Sequence, residues 1–203
     1  MRLLSFVVMA VLVLNSHCYA QEKKGLLIDN FEGAITGGPE GTVDYGTGGD
    51  SKVEVSAATD QVHSGKQSLK IAYTAAPGGY MWIARGFGLD SKNTQWLIKP
   101  EDIDWKKYSG IAVYMYGSNS GTTIAFDLKD ANNEIWRSYI TDDFTGWKQI
   151  VLPFVEFFAR NDWQPDNADK NSVMDFPIKS YQFEPKPEAQ GKVYFDDIEL
   201  ISQ

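Results

Sequence analysis

The chain is short of cysteine, histidine, basic charge and long apolar runs. Its 203 residues hold one cysteine, Cys18, and two histidines, His17 and His63. A lone cysteine excludes an internal disulfide framework, and no cluster of Cys or His has zinc-ligand spacing. Gly46-Thr47-Gly48-Gly49 is rich in glycine, but no Gly-Lys-Ser/Thr follows, so it is not a phosphate loop. These glycines are expected in turns that need a positive φ. Lys and Arg number 19 against 27 Asp and Glu, a net charge of −8. That balance argues against nucleic acid and anionic membranes as partners; it favours neutral or cationic ones and supplies oxygen ligands for calcium.

The one extended apolar run, Leu3 to Leu14, follows Arg2 and precedes Cys18-Tyr19-Ala20. It is too short for a spanning helix and has the order of an export signal, with cleavage expected after Ala20. A lipidated Cys18 is disfavoured by His17, which stands where a small residue is wanted. Residues 1–20 are therefore expected to be a signal peptide, and 21–203 one exported domain, extracellular or periplasmic. A chain of about 180 residues can bury a full core without disulfides.

What is abundant is alternation. Leu69, Ile71 and Tyr73 share one face of Gln67–Thr74, and the same period runs through 111–116, 123–128 and 147–152. Pro77-Gly78-Gly79, Gly117–Gly121 and Asp130–Asn133 separate the runs as turns. Further strands are expected at 26–31, 52–56, 80–86, 134–141, 180–183 and 192–201. The pattern gives an all-β, two-sheet antiparallel β-sandwich or jelly roll. Segments 33–50 and 159–178 read as long polar loops, and loops of that length tend to carry function. Trp82 and Trp136 fall in strands among apolar neighbours and are expected in the core. His63 is expected to be a solvated turn residue.

Hydrolysis of a glycoside needs two carboxyl groups facing each other about 5 to 10 Å apart. Asp127, Glu134, Asp162 and Glu184 are the acidic candidates, although an acidic β-sandwich offers such residues by chance. Near the C-terminus, alternation groups Tyr194, Asp196, Ile198 and Leu200, which turns a carboxylate inward. A buried carboxylate must be hydrogen-bonded, paired or metal-bound. Either backbone N–H groups satisfy Asp196, or a structural Ca2+ does, with Glu32 and Asp196 as side-chain ligands and the 64–68 turn contributing carbonyls.

Asp29-Asn30-Phe31-Glu32-Gly33 near the start and Tyr194–Leu200 at the end resemble many jelly-roll carbohydrate-binding modules. The stretch from Glu134-Ile135-Trp136 to Gly146-Trp147-Lys148, Leu152-Pro153-Phe154 and Arg160-Asn161-Asp162-Trp163-Gln164-Pro165 resembles family 11 of these modules. The resemblance implies a non-catalytic, calcium-containing jelly roll whose cleft binds single chains of β-glucan. Arg160 and Asp162 would then contact sugar hydroxyls, and Trp163, where the family has tyrosine, would stack on a sugar ring. Tyr80 would be a second stacking platform and Tyr45 a third. Asn132 and Lys179 stand where acids are expected, and Pro185 replaces an aromatic. The implied partner is a polysaccharide, with a glycoside hydrolase or surface complex acting in trans.

Two other readings stay open. The chain also resembles sandwich domains of the complex I intermediate-associated protein 30 type, which implies a protein partner. For the site itself, Arg160 and Asp162 are either sugar contacts or a surface ion pair of little energetic value, with Trp163 packed under the 164–178 loop.

Overall fold

The computed structural model describes residues 25–186 and 188–202, so the expected signal peptide, with Cys18, lies outside the described residues. Twelve strands are found among them: β1 Leu26–Asp29, β2 Asp44–Gly48, β3 Lys52–Ala58, β4 Ser68–Ala75, β5 Tyr80–Gly86, β6 Tyr108–Ser118, β7 Thr123–Lys129, β8 Ile135–Thr141, β9 Thr145–Pro153, β10 Phe158–Ala159, β11 Ser180–Pro185 and β12 Ala189–Ser202. They form two sheets. The first runs β3-β4-β12-β6-β9, with β1 also on β12; the second runs β10-β8-β7-β11-β5-β2. Every pairing is antiparallel. No helix among the described residues is long and apolar enough to cross a membrane.

The expected alternation fills the space between the sheets. Leu69 and Ile71 of β4, Val113 and Met115 of β6, Phe126 of β7 and Phe183 of β11 are buried in one core. Phe183 stacks on Phe195 of β12, centroids 3.8 Å apart, and so joins one sheet to the other. Aromatic pairs of this kind add about 0.5 to 1.5 kcal/mol beyond the area they bury. A polar bolt crosses the same interior. Asp29 of β1 accepts Arg85 Nε at 2.5 Å, Arg85 Nη2 at 3.0 Å and the Tyr181 hydroxyl at 2.8 Å. Its charge is thereby compensated in a dry place, which fixes β1 against the second sheet.

The chain departs from the simple period in two places. In β12, Asp196 pairs with Tyr114 but Ile198 pairs with the next residue, Val113, so Asp197 is an extra residue in the strand. Asp197 has φ +38°, and beyond this bulge the alternation changes face. Val193 and Phe195 enter the core before it; Ile198 and Leu200 enter after it. Asp196 is buried, as expected, but does not share the inward face of Ile198 and Leu200. The second departure is β2, a strand inside the segment expected to be loop. Gly46 and Gly48 lie within it and only Gly49, just beyond, has a positive φ, +63°.

Candidate functional site

The outer face of the second sheet carries a cleft of about 730 Å³. Its floor follows from strand register. Asp127 of β7 pairs with Arg137 of β8 on one side and with Gln182 of β11 on the other. All three alternate with the core residues Phe126, Trp136 and Phe183, so they point away from the core. Arg137 is nearly inaccessible, its side chain 3 % exposed. Its Nε and Nη2 donate to the two oxygens of Asp127 at 2.7 and 2.8 Å, and Nη2 also donates to Glu184 at 2.5 Å. Lys186 donates to the other Glu184 oxygen at 2.8 Å.

Arg160 lies above this layer. Its Nη1 is 3.4 Å from both Asp127 and Glu184. Its Nε and Nη2 hold Asp162 at 2.6 and 3.1 Å, a fork-to-carboxylate pair. The Arg160 bonds hold the Asp162 carboxyl below the ordinary carboxylate range, at about 2. Trp163 follows, 57 % exposed, with the Arg160 guanidinium 5.6 Å from its ring centre. The 164–178 segment does not cover it. Gln164 secures this wall: its amide exchanges bonds of 2.7 and 2.9 Å with the Ile135 backbone and donates to the Arg160 carbonyl at 2.8 Å.

Tyr80 lines the cleft with Arg160, Asp162 and Trp163. Two other expected contacts do not. Tyr45 is in register with Ile83, a core residue, and packs against the core. The parity of β2 turns Asp44, Gly46 and Gly48 toward the cleft and Tyr45 away. Asn132 donates to Asp169 at 3.1 Å and Asp175 at 2.9 Å, tying down the polar loop outside the cleft. Lys179 contacts Asn133 at 3.2 Å, and Pro185 is buried at the end of β11.

The sequence reading missed three residues. Trp82 was expected in the core with Trp136. Trp136 is buried, but Trp82 lines the cleft and donates its indole N–H to Asp44 at 3.0 Å. In β5 both Trp82 and Ile83 are apolar, so composition does not say which faces inward. Asp44 became legible only with β2. Arg137 looked like an ordinary charged strand residue; its pairing with Asp127 across the β7–β8 hairpin was the available signal.

The carboxylates expected to hold calcium meet at one turn. β4 and β1 share one edge of β12, and the 63–67 turn sits by the gap between them. Asp196 accepts the His63 and Ser64 N–H groups at 3.0 and 3.1 Å; Glu32 accepts those of Lys66 and Gln67 at 2.8 and 3.2 Å. The Gln67 amide bridges the carbonyls of Phe31 and Gly33 at 2.6 and 2.7 Å. The turn thus offers these carboxylates N–H donors, and no cluster of three metal-ligating side chains exists among the described residues. Two carboxylates alone fall short of the six to eight oxygens that calcium wants. Burial pushes the Asp196 carboxyl up to about 6. His63 is exposed in the turn, as expected, and one face of its ring stacks on Tyr114 with centroids 3.5 Å apart while Nδ1 meets Asp197 at 3.1 Å.

Fold and cleft together define a β-sandwich with an aromatic-walled, ion-paired trough on one face. The chain belongs to the family 11 carbohydrate binding domains, whose model matches residues 19–203. It is 27 % identical over 183 residues to Endoglucanase H of Acetivibrio thermocellus, an alignment covering 86 % of this chain but 18 % of that enzyme. The chain therefore spans under a fifth of the length of that relative. Among solved structures, it is similar to the family 11 module of a cellulosomal cellulase of Clostridium thermocellum, with a TM-score of 0.66, 24 % identity, and coverage of 89 % of this chain and 95 % of that one. A family 11 module from the same organism, in complex with a β-1,3-1,4-mixed-linked tetrasaccharide, matches with a TM-score of 0.65, 24 % identity and coverage of 87 % and 95 %. These likenesses support the jelly-roll fold.

Proposed function

We propose that this carbohydrate-binding module holds single β-glucan chains in the cleft and does not cleave them. The observation that carries the reading is the exposed Trp163 ring standing beside the two-point Arg160–Asp162 pair. A pyranose ring has a C–H face and a hydroxyl rim. The indole matches the face; the guanidinium and carboxylate match the rim. Hydrogen bonds to charged groups contribute about 1.5 to 3 kcal/mol each when dry and less in an open trough. A few such contacts correspond to dissociation constants between about 1 mM and 1 μM, or roughly −4 to −8 kcal/mol. The mixed-linkage tetrasaccharide bound by the similar module from Clostridium thermocellum is the first ligand to try.

The carboxylates explain the absence of turnover in this reading. A glycosidase needs one carboxylic acid to protonate the leaving group and a second carboxylate to attack or to activate water. Asp127 and Glu184 are both committed to Arg137, and Asp162 is held ionised by Arg160. Glu134 accepts the Ser172 N–H instead. Export to the periplasm or beyond, expected from Arg2 and the 3–14 run, belongs to the same reading, with a glycoside hydrolase as the partner that profits from the capture.

Native electrophoresis in gels containing mixed-linkage β-glucan tests the proposal. Retardation is expected, with no reducing ends released over hours of incubation. Unretarded migration across β-glucans, xylans and galactans would overturn it, as would steady release of reducing sugar.

A further inference from the structure

The wall opposite Trp163 is built on the edge strand of the second sheet. β2 pairs with β5, placing Gly46 opposite Trp82 and Gly48 opposite Tyr80. A Cβ on Gly46 would lie 2.5 Å from Cη2 of the Trp82 indole. A Cβ on Gly48 would fall inside the contact radius of the Tyr80 ring. Both aromatic rings therefore lie across backbone that carries no side chain. Neither glycine has a left-handed φ, so the strand needs the missing Cβ and not conformational freedom. Glycine weakens a strand interior, and two at alternating positions on one face mark close approach by other groups.

The rings that lie there are nearly parallel. Tyr80 and Trp82 are inclined by 17°, with centroids 6.2 Å apart. Asp44 fixes the indole: one carboxylate oxygen accepts Trp82 Nε1 at 3.0 Å while the other accepts the Asp90 N–H at 2.8 Å. Both rings and Asp44 line the cleft, and Tyr80 is 58 % exposed.

We infer that Tyr80 and Trp82 form one flat shelf that carries two successive sugar rings of the bound chain, and that Gly46, Gly48 and Asp44 are positioning residues that lay it flat. The inference rests on reading the cleft as a saccharide site. Two parallel rings can meet two adjoining pyranose faces together only if neither is lifted. A methyl group at either glycine lifts one ring, which then meets its sugar by the edge.

Calorimetric titration with the β-1,3-1,4-linked tetrasaccharide and with a disaccharide tests the shelf, using the whole chain. Gly46→Ala and Gly48→Ala are each expected to weaken tetrasaccharide binding about three- to tenfold, the worth of one aromatic contact. The gain from disaccharide to tetrasaccharide should shrink with them, a readout that a purely structural defect does not move. Trp82→Ala introduces no clash and serves if a glycine variant fails to fold; it should give the same loss and remove part of the ligand-induced tryptophan fluorescence shift. Wild-type affinity and chain-length gain in Gly46→Ala, Gly48→Ala or Trp82→Ala, alongside weakened Trp163→Ala, would overturn the shelf alone. A wild type that binds neither saccharide nor glucan polymer would overturn the reading of the cleft and the shelf with it.

Discussion

Arg137 and Asp127 face each other across the β7–β8 hairpin and join through two hydrogen bonds of 2.7 and 2.8 Å under the cleft floor. Burial pushes the Asp127 carboxyl upward, and the Arg137 bonds pull it back. The pair is a foundation: Arg160 sits on it, and Arg160 orients Asp162.

Removing Arg137 takes the main partner from two buried carboxylates, leaving only Arg160 at 3.4 Å from both and Lys186 on Glu184. Arg137→Ala is expected to lower unfolding free energy by about 3 to 5 kcal/mol, measured by urea denaturation. Arg137→Lys should not restore it, because one ammonium cannot reproduce the planar fork that reaches both Asp127 oxygens and Glu184. A loss below about 1 kcal/mol would show that the layer is not structural.

Trp163 should behave in the opposite way. More than half exposed, it contributes little to stability, so Trp163→Ala is expected to change unfolding free energy by no more than about 0.5 kcal/mol. Glucan binding should weaken about tenfold or more. Equal binding with reduced stability would make the indole a packing residue.

The pH dependence follows from the Arg160–Asp162 pair. Its carboxyl titrates at about 2 in the folded chain, below the ordinary 3.8. A depressed value means that the pair's contribution is complete above the ordinary value and lost only as pH falls through about 2. The Asp162 contribution to binding, read as the difference between wild type and Asp162→Asn, should stay level from roughly pH 8 to pH 4. Its loss with a midpoint near pH 5 would mean that Arg160 does not hold Asp162.

The chain ends make a separate claim. Asp196 and Glu32 are satisfied by the N–H groups of the 63–67 turn. Adding a calcium chelator should therefore leave the melting temperature unchanged, and a drop of several degrees would show that a cation holds the turn. Asp196→Ala should destabilise the chain in either case, because it removes the acceptor that the His63 and Ser64 N–H groups share and so unties the turn from β12.

Ten of the strands were legible because period two survives wherever one face is apolar and the other polar. The rest failed for physical reasons. β2 reads as loop because two of its five residues are glycine, which the aromatic rings above them demand. Tyr45 was assigned to the cleft and Trp82 to the core because parity cannot be fixed in a strand not yet recognised, or in one apolar on both faces. The bulge at Asp197 inverts the face pattern of β12 without any turn residue to announce it. Arg160, Asp162 and Trp163 were legible as a cluster because three neighbouring residues need no knowledge of the fold to be brought together. Arg137, Asp44 and Gly46 act across strands and became visible only with the register.

Nuclear magnetic resonance of the six indole N–H groups during titration with the mixed-linkage tetrasaccharide tests the cleft directly. Trp163 and Trp82 should shift together, while Trp96, Trp105, Trp136 and Trp147 stay in place. Shifts confined to Trp147, on the first sheet, or six unmoved signals at millimolar saccharide, would contradict the account.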